Sequence, residues 1–152
     1  MAQVRKMLAS EAGGVLRLWN ENCREAGNRS LSDDAAGRVL AALQKYASHT
    51  EAFCLVAEEG SGLVGFLTAR ITTHPILEGI AGEIEVLYVH PEVRRRGIGA
   101  ALVKEAVKLL QLSGTGTIRV YACAESQVAR NFWQYLGWEQ DLTVFSSYEG
   151  GR

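Results

Sequence analysis

A chain of 152 residues, 47% hydrophobic and 22% charged, is long enough for one domain with its own core and too short for two comfortable ones. Sixteen Lys and Arg against seventeen Asp and Glu give a formal net charge of -1, which argues against a dedicated nucleic-acid binder. Cys23, Cys54 and Cys123 are scattered without a CxxC pair, so neither a disulfide framework nor a metal site is expected, and no apolar run has signal-peptide or membrane-spanning length. The expectation is a cytoplasmic domain whose cysteines are small buried hydrophobes.

The first third reads as helical. Val15, Leu16, Trp19 and Cys23 recur at helical spacing from Glu11 to about Ala26, and Gly27 is a plausible stop. Ser32 is a candidate N-cap for a second helix, with Asp33 and Asp34 in its first turn and Val39, Leu40, Leu43 and Tyr46 among its apolar positions. The pattern then turns to short apolar runs. Ala52 to Glu58 and Leu63 to Ile71 flank Gly60-Ser61-Gly62 as an antiparallel hairpin. Thr72 to Gly82, with His74 and Pro75, reads as a loop, and Glu83 to Val89 as a third strand. After a polar connection from His90 to Arg96, a helix is expected from about Gly97 to Leu112, and Thr117 to Ala124 as a strand. Gln127 to Leu136 reads as a short helix closed by Gly137, and Leu142 to Tyr148 as a last strand. This order implies an α/β (α+β) architecture: one mixed sheet with helices on its faces.

The most informative run is Glu83 to Leu102, EIEVLYVHPEVRRRGIGAAL. An apolar strand leads through an arginine-rich loop into glycines that open a helix. The first N–H groups of a helix lack intrahelical partners, and the helix dipole adds positive charge there. Gly97 and Gly99 let an anion approach the backbone, and Arg94, Arg95 and Arg96 add cations. A pyrophosphate suits such a place. A dinucleotide fingerprint fails because Leu102 stands where a third glycine is needed, and no Gly-Lys-Ser/Thr triplet makes a P-loop.

This segment resembles the GNAT family of N-acetyltransferases, whose pyrophosphate signature, Gln/Arg-x-x-Gly-x-Gly/Ala, is matched by Arg94, Gly97 and Gly99. A second family motif, roughly Asn-x-x-Ala-x-x-Phe-Tyr-x-x-x-Gly-Phe, is similar to Ser126 to Trp138, SQVARNFWQYLGW, through Ala129, Phe132, Gly137 and Trp138. The resemblance covers most of residues 1–152 and implies a single N-acetyltransferase domain with the GNAT acyl-CoA N-acyltransferase fold. Its mostly antiparallel central sheet would be flanked by helices, and acetyl-CoA would be the co-substrate. It implies that backbone N–H groups from Arg95 through Arg96, Gly97, Ile98 and Gly99 to Ala100 hold the pyrophosphate. Leu87, Tyr88 and Val89 would splay from a neighbouring strand at a bulge and offer an open edge to the pantetheine arm. Ala129 would be small where the arm passes its helix.

Acetylating an amine requires removing a proton from the ammonium and stabilising the departing thiolate. Glu83 and Glu85 stand two apart on an otherwise apolar strand, so they share a face and suit a base working near neutrality. By position Glu83 resembles the general base of several family members, and Glu85 then acts through water or binds the ammonium. Arg70 and Arg119 are alternative partners for both. Two positions depart from the family pattern. Ser126 replaces an asparagine that contacts the pantetheine, and either caps the following helix or replaces part of that contact; Trp133 replaces the tyrosine that often protonates the thiolate, a step for which an indole N–H is unsuited, and is expected as a packing residue along the cofactor. Tyr135 lies roughly 200° around the helix from that position and is no substitute. Among other residues, Trp19 is a core aromatic that can also wall an acceptor site, His74 borders the acceptor region, and His49 and His90 are loop histidines. Cys123 lacks a nearby activating histidine.

The expected activity is transfer of acetyl to a primary amine of a small molecule by direct attack, with no metal, nucleic acid or membrane involved. Alternatives are an aminoglycoside-type acetyltransferase drawn to polycations by Glu78, Glu83 and Glu85, a protein or peptide N-acetyltransferase, and a non-catalytic acyl-CoA-binding module. The family often forms dimers, and Leu142 to Phe145 offers an apolar segment for a homodimer.

Overall fold

A computed structural model describes residues 2–27, 29–73, 79–123 and 125–149, so His74, Pro75 and Glu78 lie outside the described residues. The chain divides into two compact units, Met1–Tyr121 and Ala122–Arg152. The first unit is built on strands β1 (Gln3–Lys6), β2 (Ala52–Glu59), β3 (Gly62–Thr73), β4 (Ile80–Val89) and β5 (Thr117–Val120), with helices α1 (Ala12–Gly27), α2 (Asp33–Tyr46) and α3 (Ile98–Leu112). The strands lie side by side in chain order, antiparallel from β1 to β4 and parallel between β4 and β5. A parallel pair needs a long crossover, and α3 supplies it.

The sheet buries both faces. Under α1 and α2, Val15, Leu18 and Leu43 meet Cys54, Val56, Phe66 and Tyr88 in one apolar cluster. On the opposite face α3 buries Ile98, Leu102, Val103, Ala106 and Leu110. Gly65 and Gly82 mark how closely that side packs. A Cβ on Gly65 would stand 2.9 Å from the Tyr88 carbonyl oxygen, and one on Gly82 would stand 2.9 Å from Leu110 Cδ1. Cys54 is buried, and burial pushes its thiol up to about 12, making it inert. Cys123 is exposed, contrary to the expectation of three buried cysteines.

The caps at Ser32 and Ser126 form as expected, each hydroxyl accepting from the backbone N–H three residues on. Three elements differ from the sequence reading. β1 was not anticipated: QVRK has no apolar run, and its pairing with β2 is fastened by Arg5, which bonds both Glu11 and Glu58 at 2.6–3.2 Å. The strand expected from Thr117 to Ala124 ends at Val120. In the second unit Leu142 to Tyr148 forms no strand, and Phe145 is 92% exposed. Its apolar residues fall at 142, 144, 145 and 148, without the alternation a half-buried strand needs, and no ladder partner orders it. The second unit's regular element is α4 (Gln127–Tyr135), closed by Gly137 at φ 89°.

Candidate active site

The site begins with a fault in the β3–β4 ladder. Thr68 pairs with Val86 and Ala69 with Ile84, so Glu85 is an extra residue and β4 bulges there. Strict alternation from Glu83 would put Glu83, Glu85, Leu87 and Val89 on one face. The bulge resets the phase. Glu85 reaches α2, Val86 and Tyr88 pack in the cluster under α1 and α2, and Val89 lies on the α3 side beside Gly65. The β4–β5 pairing covers only Ala81 to Ile84. Past the bulge, from Glu85 to Val89, that edge of β4 has no strand beside it among the described residues. The open edge at Leu87, Tyr88 and Val89 therefore has a local cause, two residues upstream of where sequence reasoning sought it.

Glu83 and Glu85 do share a face, joined by Arg70. Arg70 Nη2 donates to Glu83 Oε2 at 3.4 Å, and Nε lies 3.8 Å from Glu85 Oε2. The Tyr46 hydroxyl donates to Glu85 Oε1 at 2.8 Å. Burial, and next that bond, push the Tyr46 hydroxyl well above a tyrosine's ordinary range, so it remains a donor. A pocket of about 210 Å³ opens here between α1, α2 and the sheet. Glu85 and Thr68 lie at its sheet side, with Trp19, Val39, Leu43 and Tyr46 as walls and Arg38 on α2 also lining it. Trp19 is held by stacking on Phe66 at 5.6 Å between centroids. Thr68 is 1% exposed and its hydroxyl has no hydrogen-bond partner among the described residues. Glu83 does not line this pocket.

β4 leads through a short 3-10 turn, Pro91–Val93, into the arginine loop. His90 starts that turn, its Nδ1 accepting from the Glu92 N–H at 3.3 Å. Two of the three arginines are committed to carboxylates. Arg94 forks onto both Glu25 oxygens at 2.6 and 2.7 Å, donates through Nε to the Val89 carbonyl at 2.8 Å, and lies 5.6 Å from the Tyr88 ring centroid. The guanidinium holds the Glu25 carboxyl below its ordinary value. Arg96 pairs with Glu59 at 3.0 Å. Arg95 is exposed and has no ion pair among the described residues.

Arg95 at φ 65° and Gly97 at φ 79° are both left-handed, a conformation that curls successive N–H groups into an anion-binding concavity. Gly97 is the N-cap of α3, the first helical bond runs from the Ala101 N–H to its carbonyl, and nothing lies within 4 Å of where its Cβ would stand. The N–H groups of Ile98, Gly99 and Ala100 precede that bond and are those a helix leaves without intrahelical partners. This donor set fits a pyrophosphate.

Ser126, Ala129 and Trp133 belong to the second unit. The Ser126 hydroxyl caps α4 by accepting from the Ala129 N–H at 3.2 Å. Trp133 packs against Phe132 and Trp138, with centroids at 5.1 and 4.8 Å, as expected of a packing residue. Sequence reasoning missed Glu25, Arg38 and Thr68 as site residues and took Tyr46 only for an apolar position. Thr68 and Arg70 did leave a trace as polar residues inside the apolar run LVGFLTARI. Among the described residues no cluster suits a metal ion, and no helix is long and apolar enough to cross a membrane.

Residues 14–138 match the acetyltransferase (GNAT) family model. A mycothiol acetyltransferase of Renibacterium salmoninarum is 27% identical over 125 residues, covering 80% of this chain and 35% of that protein. A mycothiol acetyltransferase of Mycobacteroides abscessus is 39% identical over 83 residues, covering 55% of this chain and 26% of that protein. The chain thus spans about a third or less of the length of these curated relatives. Among solved structures, the aminoglycoside N-acetyltransferase AAC(6')-Iy in complex with CoA superposes with a TM-score of 0.82 at 18% identity, covering 99% of this chain and 95% of that one. The likeness is one of fold.

Proposed function

Since the chain belongs to the acetyltransferase (GNAT) family, we propose that it transfers the acetyl group of acetyl-CoA to a primary amine of a small molecule by direct attack. The observation that carries this reading is the Glu85 bulge. One irregularity puts a carboxylate into a pocket, leaves the following edge of β4 open, and the same strand runs on into the anion loop. The family match crosses the boundary between the two units, which supports reading residues 1–152 as one acetyltransferase domain.

In this reading the N–H groups from Arg95 to Ala100 hold the pyrophosphate, and Arg95 adds the uncommitted cation. Arg94 is a positioning residue that fixes the loop through Glu25 and Val89. The edge at Leu87, Tyr88 and Val89 pairs with the pantetheine arm as an added strand would. Acetyl-CoA supplies the thioester. Glu85 meets the acceptor ammonium, and the Glu83–Arg70–Glu85 cluster takes its proton, directly or through water. The neutral amine then forms the new C–N bond as the C–S bond breaks, and the nitrogen releases its surplus proton to water to give the amide. With Trp133 at the family's tyrosine position, the sulfur departs as a thiolate, stabilised by N–H donors rather than protonated in place. Ser126 and Ala129 are assigned to the cofactor by family resemblance.

Calorimetric titration of acetyl-CoA tests this. Wild type should bind. Gly97→Glu, which adds an anion at a left-handed position, should abolish binding, and Arg95→Glu, which adds no glycine-specific strain, should weaken it roughly tenfold or more. Absence of binding by wild type refutes the proposal. Binding without thiol release on any amine would favour a non-catalytic acyl-CoA module.

A further inference from the structure

Resting on the acetyltransferase reading, we propose that the pocket between α1, α2 and β4 selects a compact primary monoamine with an apolar body, its ammonium held between Glu85 and the Thr68 hydroxyl. The bulge sets Glu85 and Val86 together opposite Thr68, so the carboxylate and the hydroxyl are neighbours on one face. Phe66 packs under α1 and α2, and Thr68, two residues on, points the same way. An ammonium placed there donates one N–H to Glu85 and another to Thr68 Oγ1, which otherwise has no partner although the residue is 1% exposed. Tyr46 keeps Glu85 in place by donating to its Oε1 at 2.8 Å, while Arg70 Nε lies 3.8 Å from its Oε2.

The rest of the pocket limits what the ammonium is attached to. Trp19, Val39 and Leu43 offer an indole and aliphatic surface, which favours an alkyl or aryl body beside a cation. The volume, about 210 Å³, is below the roughly 300–1,000 Å³ of pockets for drug-sized ligands. Charge argues the same way. Among the described residues that line the pocket, Glu85 is the one acid and Arg38 the one base, while Arg70 lies against both glutamates. A polycation needs an acidic excess, and a hydroxyl-rich sugar needs many polar partners; this lining supplies neither.

The test uses the full chain and two probes, 2-phenylethylamine and the aminoglycoside sisomicin. Binding is read by saturation-transfer NMR without acetyl-CoA, and turnover by thiol release. We expect transfer to 2-phenylethylamine and roughly tenfold or more higher kcat/KM for it than for sisomicin. Ala42→Trp alters an exposed residue of the pocket lining, so folding is spared. It should lower kcat/KM for the amine roughly tenfold or more, with acetyl-CoA affinity unchanged. Thr68→Val should raise the amine's KM more than it changes kcat. Preference for sisomicin, or indifference of the amine to Ala42→Trp in both readouts, overturns the proposal. Failure of acetyl-CoA to bind overturns the acetyltransferase reading instead, and the NMR arm then decides the pocket by itself.

Discussion

Replacing Thr68 by Val separates the fold's interest from the site's. Thr68 is 1% exposed, sits mid-strand, and its hydroxyl has no hydrogen-bond partner. Leaving such a group buried and unpaired costs about 1–3 kcal/mol. Valine keeps the β-branch and nearly the volume, so strand propensity and packing change little, and its added methyl contributes up to about 0.8 kcal/mol of burial. The variant should therefore be more stable by about 1–3 kcal/mol. At roughly 2–4 °C per kcal/mol for a chain of this size, Tm should rise by several degrees. Urea unfolding should show a higher midpoint with an unchanged slope. Thr68→Ala is the control: it removes the hydroxyl but also a methyl, so the cavity offsets the gain. A Thr68→Val variant of equal or lower stability would mean that the hydroxyl is satisfied in solution, and would remove the argument that it awaits a ligand.

Three further outcomes are expected. Glu25→Gln on α1 should weaken acetyl-CoA binding severalfold, because it frees the Arg94 fork that holds the loop before α3. Arg94 holds Glu25 below its ordinary value of 4.5, so the pair's contribution is fully present above that value and lost as pH falls through the lower folded one. The stability difference between wild type and Glu25→Gln should accordingly shrink in acid, as urea melts at pH 7 and below 4.5 would show; a difference independent of pH would refute it. Gly65→Ala should cost about 1–3 kcal/mol, because its Cβ would meet the Tyr88 carbonyl oxygen at 2.9 Å, and a backbone atom paired in the sheet cannot step aside. Unchanged thermal stability would contradict that packing.

What could be read without the fold was whatever a few consecutive residues decide. Ser32 and Ser126 announced helix starts because a cap bonds three residues ahead. Gly97 announced the start of α3 because a left-handed N-cap before an apolar helix is a local conformational demand. The hairpin, β4 and α3 followed from the spacing of apolar side chains, and Glu83 and Glu85 from two charges on an apolar strand. Tertiary structure decided everything that depends on a distant partner. Arg94 pairs with Glu25, 69 residues away, which no local spacing announces. Tyr46 looked like core until it met Glu85, 39 residues on. β1 exists because β2 pairs with it, and Leu142 to Tyr148 joins no ladder among the described residues. The bulge at Glu85 is the sharpest case: sequence spacing says that side chains alternate, but only the ladder with β3 says where the alternation slips, and that slip gives the carboxylate its pocket and β4 its open edge.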